Sequence, residues 1–363
     1  MRVADEAVEV EAAQPRAARL QEAGLLLVVL LLGGLIALSA DTIVVRGQPA
    51  NAFLRWDNLL ANVATPMSWM AIMALGATAV IVSGGIDISV GSIFGLSALG
   101  TAAVLQHLPA DAALPLSLGV ATGVALGIGL LCGLLNGALV VALRLHPFIV
   151  TLGTMSIFRG LANVSVETKT LPTLGRQLPD SFTEGCVGWR WTFGAGPGAG
   201  FVQPVPMLVM LGCAVGFWLL LAHTVTGREI YAVGGNETAA RYAGLRVGAV
   251  KLRVYALSGL CAGLAGLLSA GFYQSANTAT GEGYELAVIA AAVVGGASLS
   301  GGRGTALGAL LGTLIIALIQ NGIYILHLQE EYRLIITGAA IIIAVALDRF
   351  SEYLRSRRLK GGH

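Results

Sequence analysis

Apolar runs of about 20 residues, the length an α-helix needs to cross a hydrocarbon core of about 30 Å, recur along almost the whole of this 363-residue chain. They fall near 23–40, 63–83, 90–107, 114–143, 147–164, 205–223, 253–274, 284–300, 304–326 and 333–349. With 56% hydrophobic and 12% charged residues, the chain has more apolar surface than a water-soluble core can hide. The expected fold is all-α: a polytopic membrane helix bundle of about ten transmembrane helices. The 49 glycines fit this picture, because helices in lipid associate through close backbone approach. On the fourth run Gly119, Gly123 and Gly127, then Gly129, Gly133 and Gly137, recur at GxxxG spacing and predict a packing face. Runs 90–107 and 284–300 adjoin Gly/Ser-rich stretches, which can be breaks within the membrane as readily as ordinary loops.

Charge then orients the runs. With the N-terminus in the cytoplasm, 15 of the 22 Lys and Arg fall on the cytoplasmic side, as the positive-inside rule favours. An even number of runs returns the C-terminus to that side. The expected organisation is a cytoplasmic tail over 1–22, a transmembrane domain over 23–349 and a second cytoplasmic tail over 350–363. An external loop occupies 165–204, too rich in Pro and Gly for a spanning helix. A cytoplasmic loop occupies 224–252, read as loop, short helix, loop, with Asn236 as N-cap. A cleaved leader competes for 23–40, since Ala37-Leu38-Ser39 resembles a cleavage site. Against it, the five acidic and three basic residues of 1–22 have the wrong sign for a leader.

Several chemistries are excluded. No G-x-x-x-x-G-K-[ST] loop occurs, and the three Lys lie elsewhere, so the chain does not hydrolyse ATP itself. A serine elbow and an HExxH helix are also missing. Net charge of +2, with basic residues scattered in short clusters, argues against a nucleic-acid partner. Cys132, Cys213 and Cys261 lie in apolar runs and Cys186 in a polar loop, without metal or redox spacing. Nor do the runs hold the several ionisable residues that a proton relay or ion-coupled carrier uses; Asp87 is the clearest.

Four segments carry a resemblance: Ser83-Gly-Gly-Ile-Asp-Ile-Ser-Val-Gly-Ser92, Gly133-Leu-Leu-Asn-Gly137 running on to His146-Pro-Phe-Ile-Val-Thr-Leu-Gly153, Gly234-Gly-Asn-Glu-Thr-Ala-Ala-Arg-Tyr-Ala-Gly-Leu245, and Val294-Gly-Gly-Ala-Ser-Leu-Ser-Gly-Gly-Arg303. Together, over about 58–349, they resemble the permeases of the ribose/xylose/galactose class of ABC importers. That resemblance implies an importer-permease bundle that moves a monosaccharide or related polyol across a bacterial inner membrane. It implies a second permease copy or a paralogue and surrounding membrane lipid. It also implies a periplasmic solute-binding protein and a cytoplasmic ATP-binding subunit. No cofactor is expected on this chain, ATP and Mg belonging to the ATPase partner. Glu237-x-Ala239-Ala240-x-x-x-Gly244 is similar to the EAA loop that docks on such an ATPase, although it lacks the downstream Leu-Pro and has Thr238 inserted.

Residue roles follow from both lines. Gly235, Asn236, Glu237, Ala239, Ala240, Arg241 and Gly244 are the expected coupling residues, with Glu237 and Arg241 spaced to pair at i, i+4. Asp87, Ser89, Asn136, Ser298, Ser300 and Asn321 are the expected lining of a path or gate. Two readings of Asp87 stand: a carboxylate on the path, or a cap accepting from the N–H of Ser89 or Val90. Asn136, Gln320 and Asn321 offer donors and acceptors suited to sugar hydroxyls, yet such residues also join helices. The string GG-x-[DS]-[IL]-S-x-G, at Gly84 and again at Gly295, hints at internal duplication. A nucleoside or branched-chain amino-acid permease is the nearest rival, and a channel or secondary carrier the rival from another class.

Overall fold

The computed structural model describes residues 2–45, 48–193, 200–329, 331–332, 335–340, 342–343 and 346. The expected tail over 350–363 and the end of the last expected span lie outside these; the described residues of 333–349 are helical. Among the described residues seven helices are long and apolar enough to cross a membrane, and two further apolar helices are shorter.

The first helix, α1 (Arg2–Ser39), runs unbroken through the expected tail, whose Ala, Glu and Arg are good helix formers. A hairpin of β1 (Thr42–Val45) and β2 (Gln48–Asn51) follows. A π-helical turn over Asn58–Ala64 leads into α2 (Thr65–Val82). Next come α3 (Val90–Leu105), α4 (Leu114–Leu143) and α5 (Pro147–Val164), the last two with the bounds expected from sequence. Residues 165–203 hold no spanning helix among the described residues, only β3 (Thr170–Leu171), α6 (Asp180–Phe182), a π-helical turn over Thr183–Val187, β4 (Trp191–Phe193) and β5 (Gly200–Val202). This segment folds over the ends of α4 and α10: Ser181 Oγ lies 2.8 Å from Ser117 Oγ, and Val187 packs on Gly271.

After α7 (Pro204–His223) the structure departs from the expected loop, short helix, loop. It forms two helices, α8 (Val225–Gly235) and α9 (Glu237–Tyr242), and α10 (Val247–Tyr273) then begins six residues before the expected span. Lys251 and Arg253 interrupt the apolar run but not the helix, because both find carboxylates. β6 (Ala276–Asn277) pairs with β3, α11 (Tyr284–Val294) ends six residues early, and α12 (Ala306–Ile325) closes the described bundle.

At the centre stands α10, packed against α2, α3 and α4, while α1 lies outside against α12. The predicted glycine face is half right. Gly129, Gly133 and Gly137 abut the α10 backbone at Gly259, Tyr255 and Leu252, so closely that a Cβ at Gly133 would overlap the Tyr255 carbonyl. Gly119, Gly123 and Gly127 have nothing within 4 Å.

The helices α2 and α11, each followed by a Gly pair, stop in the same way. Gly84 adopts φ +81° and Gly296 φ +96°. The N–H groups of Gly85 and Ala297 then reach back to the carbonyls of Val80 and Ala292, at 2.9 Å each. This is the left-handed C-terminal cap that glycine permits. Geometrically Gly84 matches Gly296, one position off the register suggested by the sequence repeat.

Candidate coupling and translocation site

Thr224 caps α8 by accepting from Gly227 N at 3.0 Å. At Asn236 the backbone turns extended (φ −158°, ψ 99°), ending α8, and its side chain accepts from Ala239 N at 2.9 Å to start α9. Glu237 then lies in the first turn, where the helix dipole favours an anion, and Gly244 (φ +85°) terminates α9. The predicted Glu237–Arg241 pair forms at 3.0 Å. A second partner was not foreseen: Lys251 on α10 reaches Glu237 at 2.7 Å. Its hydrogen bond, aided by the charges of Lys251 and Arg241, outweighs partial desolvation and holds the Glu237 carboxyl below the usual carboxylate range. Arg253 likewise pairs with Glu229 of α8 at 2.8 Å.

Ala240 faces inward, buried, whereas Ala239, Arg241, Tyr242 and Ala243 face out. Tyr242 is 88% exposed, a large aromatic on an outward helix face that sequence reading passed over.

Behind α9 three glycine-rich segments converge. The Val82 carbonyl, the last of α2, accepts from Gly302 N at 2.8 Å. Gly234, near the end of α8, stands on that same carbonyl with no space for a Cβ, and Gly301 packs on the Gly234 carbonyl. Tyr231 OH donates to Gly304 O at 2.6 Å. The end of α8 is thus held against both the α2–α3 break and the α11–α12 loop. Gly235, one residue on, has nothing within 4 Å of where a Cβ would stand.

Beyond Val82 the chain rises into the bundle. Asp87 is buried; its Oδ1 accepts from Ser89 N (3.0 Å) and Ser89 Oγ (2.7 Å), and its Oδ2 from Ser258 Oγ (3.0 Å). Ser89 Oγ in turn accepts from Asn136 Nδ2 at 2.7 Å. Tyr255 OH donates to Ile86 O at 3.1 Å, and Thr151 Oγ1 accepts from Ile88 N at 3.2 Å. One polar network therefore ties the break to α4, α5 and α10. Ser258 lies three turns into α10, about 16 Å from its start at 1.5 Å per residue, so Asp87 is held deep within the bundle. Asp87 thus accepts from Ser89 N, one of the two bonds weighed from sequence, in a turn ahead of α3, whose N-cap is Ser89. Asn136 Oδ1 is buried without a partner among the described residues.

The other path candidates lie apart from this network. Ser298 is buried in the α11–α12 loop, where its N–H donates to Arg303 O at 3.0 Å; Ser300 beside it is exposed. Asn321 forms a reciprocal amide pair with Asn58 (2.9 and 3.0 Å), joining α12 to the turn before α2. It also borders a cavity of about 210 Å³ with Asn62, Gln320 and Tyr324.

Residues 59–345 match the family model described as "Branched-chain amino acid transport system / permease component". The ribose import permease protein RbsC of Bacillus subtilis is 41% identical over 82% of this chain and 86% of its own length. The D-allose transport system permease protein AlsC of Escherichia coli is 35% identical over 87% and 91%. The galactose/methyl galactoside import permease protein MglC of the same species is 35% identical over 93% and 96%. No solved structure matches the chain. With a family model spanning most of its length and relatives aligned nearly end to end, the chain belongs to the family of branched-chain amino acid transport system permease components.

Proposed function

We propose that this multi-pass membrane protein is the permease subunit of an ATP-driven monosaccharide importer, in the bacterial inner membrane with both termini cytoplasmic. Its relatives named for ribose, allose and galactose import suggest the cargo class. The observation that carries the mechanism is the seating of Gly234 on the Val82 carbonyl, which links an exposed surface helix to the break leading to Asp87. In this reading a separate cytoplasmic ATPase grips the outward face of α9. A periplasmic binding protein loads sugar onto a pair of permeases, homodimeric or with a paralogue. Closure of the ATPase moves α8 and α9 together, since Lys251 and Arg253 tie both to α10. The motion passes to the ends of α2 and the α11–α12 loop, the kind of two-state element a switch requires. Asp87, Ser89 and Asn136 act as a gate, holding the break closed until the helices shift; Ser298 and Ser300 lie on the moving loop.

Co-purification with candidate ATPases tests the docking. Because Ala240 is buried, the informative variant is Ala239→Arg with Tyr242→Asp, both on the exposed face. The wild type is expected to retain an ATPase and the variant to lose it at unchanged melting temperature. Failure of the wild type to retain any ATPase would return the chain to the channel or carrier class.

A further inference from the structure

The segment between α10 and α11 does not cross as helix. Gln274 turns left-handed (φ +55°), β6 pairs with β3, and Gly281 and Gly283 (φ +80° and +79°) fold the chain back into the bundle. As a result α11 begins only at Tyr284, beside Gly91, and its 11 residues span about 16 Å, half of a membrane core. The loop sits directly on α3: a Cβ at Gly95 would overlap the Thr280 carbonyl, and one at Gly281 the Gly91 carbonyl. Arg159 of α5 donates to Thr280 O at 2.6 Å. Above the start of α11 this arrangement leaves a cavity of about 460 Å³, within the range of small-molecule sites. The loop lies against the expected external segment, β6 pairing with β3 and Thr278 N donating to Lys169 O at 2.9 Å.

One wall is aromatic. Phe94 and Tyr284 stack with centroids 5.4 Å apart at 23°. Tyr273, 55% exposed, is held edge-on by Trp69 (5.6 Å) and Phe272 (4.9 Å). The remaining rim offers Asn277, Thr280 and Glu282. Asn277 Oδ1 is engaged by Ala279 N at 2.9 Å, which leaves its amide N–H groups for a ligand. The Glu282 carboxylate has no protein partner among the described residues, and no Lys or Arg lines the cavity.

We propose that this cavity is a weak binding site for the transported sugar on the permease itself. It takes an uncharged ring whose C–H face packs on Tyr273 and Tyr284. Ring hydroxyls donate to Glu282 and accept from Asn277. The proposal rests on the importer reading above.

Two measurements test it. In proteoliposomes with the ATPase and binding protein, uptake of labelled D-ribose, D-allose and D-galactose is compared for wild type, Tyr273→Ala and Glu282→Gln. Each variant is expected to lower uptake of the carried sugar about tenfold, Glu282→Gln by weakening a hydrogen bond to a charged group and Tyr273→Ala by removing the packing face. ATP hydrolysis stimulated by loaded binding protein should persist. Equilibrium dialysis of the purified chain alone is expected to give saturable binding of that sugar in the millimolar range, lost in Glu282→Gln. Variants that import at the wild-type rate, or a wild type without saturable binding, overturn the site and leave the importer standing. A wild-type complex that carries none of the three sugars overturns the importer reading, and the site with it.

Discussion

Glu237 joins two elements through one carboxylate, Arg241 on its own helix and Lys251 on α10. Its carboxyl is held below the ordinary range, first by the Lys251 hydrogen bond, so the folded state binds a proton there less readily than the unfolded chain does. Any stabilisation from the pair is therefore fully present above the unfolded value of 4.5 and fades as pH falls through the lower folded value. A melting comparison of wild type and Glu237→Gln across pH checks this sign. The difference is expected to be constant at neutral pH, to start falling near 4.5 and to vanish only below the lowered folded value. It should stay small throughout and shrink in salt, because both cations lie near solvent. A gap that widens in acid would mean that Glu237 is held by something other than these cations.

Among the described elements, the α4–α10 contact is the most extensive, and its glycines separate into two sets on one helix. Gly133→Ala pushes a methyl into the Tyr255 carbonyl and should cost about 1–3 kcal/mol, the usual penalty of overpacking. Gly123→Ala meets open space and should be neutral or gain up to about 1 kcal/mol from helix propensity. Thermal melting in detergent distinguishes them, and equal shifts would refute the assignment of faces. From sequence the GxxxG spacing was visible but not which half is used, because that depends on where α10 crosses. The bounds of α4 and α5 were legible because Pro115 and Pro147 mark their starts and Arg144 ends the apolar run. The start of α10 was not, since Lys251 and Arg253 look like the end of a span until their carboxylates are seen. At the site, the Asn236 cap and the Glu237–Arg241 pair are local and were readable. Lys251, Tyr231 and Gly234 act across contacts between segments distant in sequence, which no periodicity reports.

Across the whole molecule, the proposed importer needs motion on its surface to reach the deep break around Asp87, and α8, α2 and the α11–α12 loop meet through backbone at Val82, Gly234 and Gly302. Two adjacent glycines make that junction testable. Gly234→Ala sets a methyl against the Val82 carbonyl and must lever α8 away from α2, whereas Gly235→Ala adds the same methyl where nothing lies within 4 Å. The exposed face of α9 is unaltered by either, so both variants should still bind the ATPase and support its hydrolysis of ATP. Uptake should then part them: close to wild type for Gly235→Ala, and lower by about tenfold or more for Gly234→Ala, because a rigid contact transmits a switch only while it is seated. Hydrolysis without uptake in Gly234→Ala alone would locate the coupling at this backbone contact. Equal uptake in the two would mean that force reaches α2 by another route, with the Lys251–Glu237 and Arg253–Glu229 ties to α10 the next elements to cut.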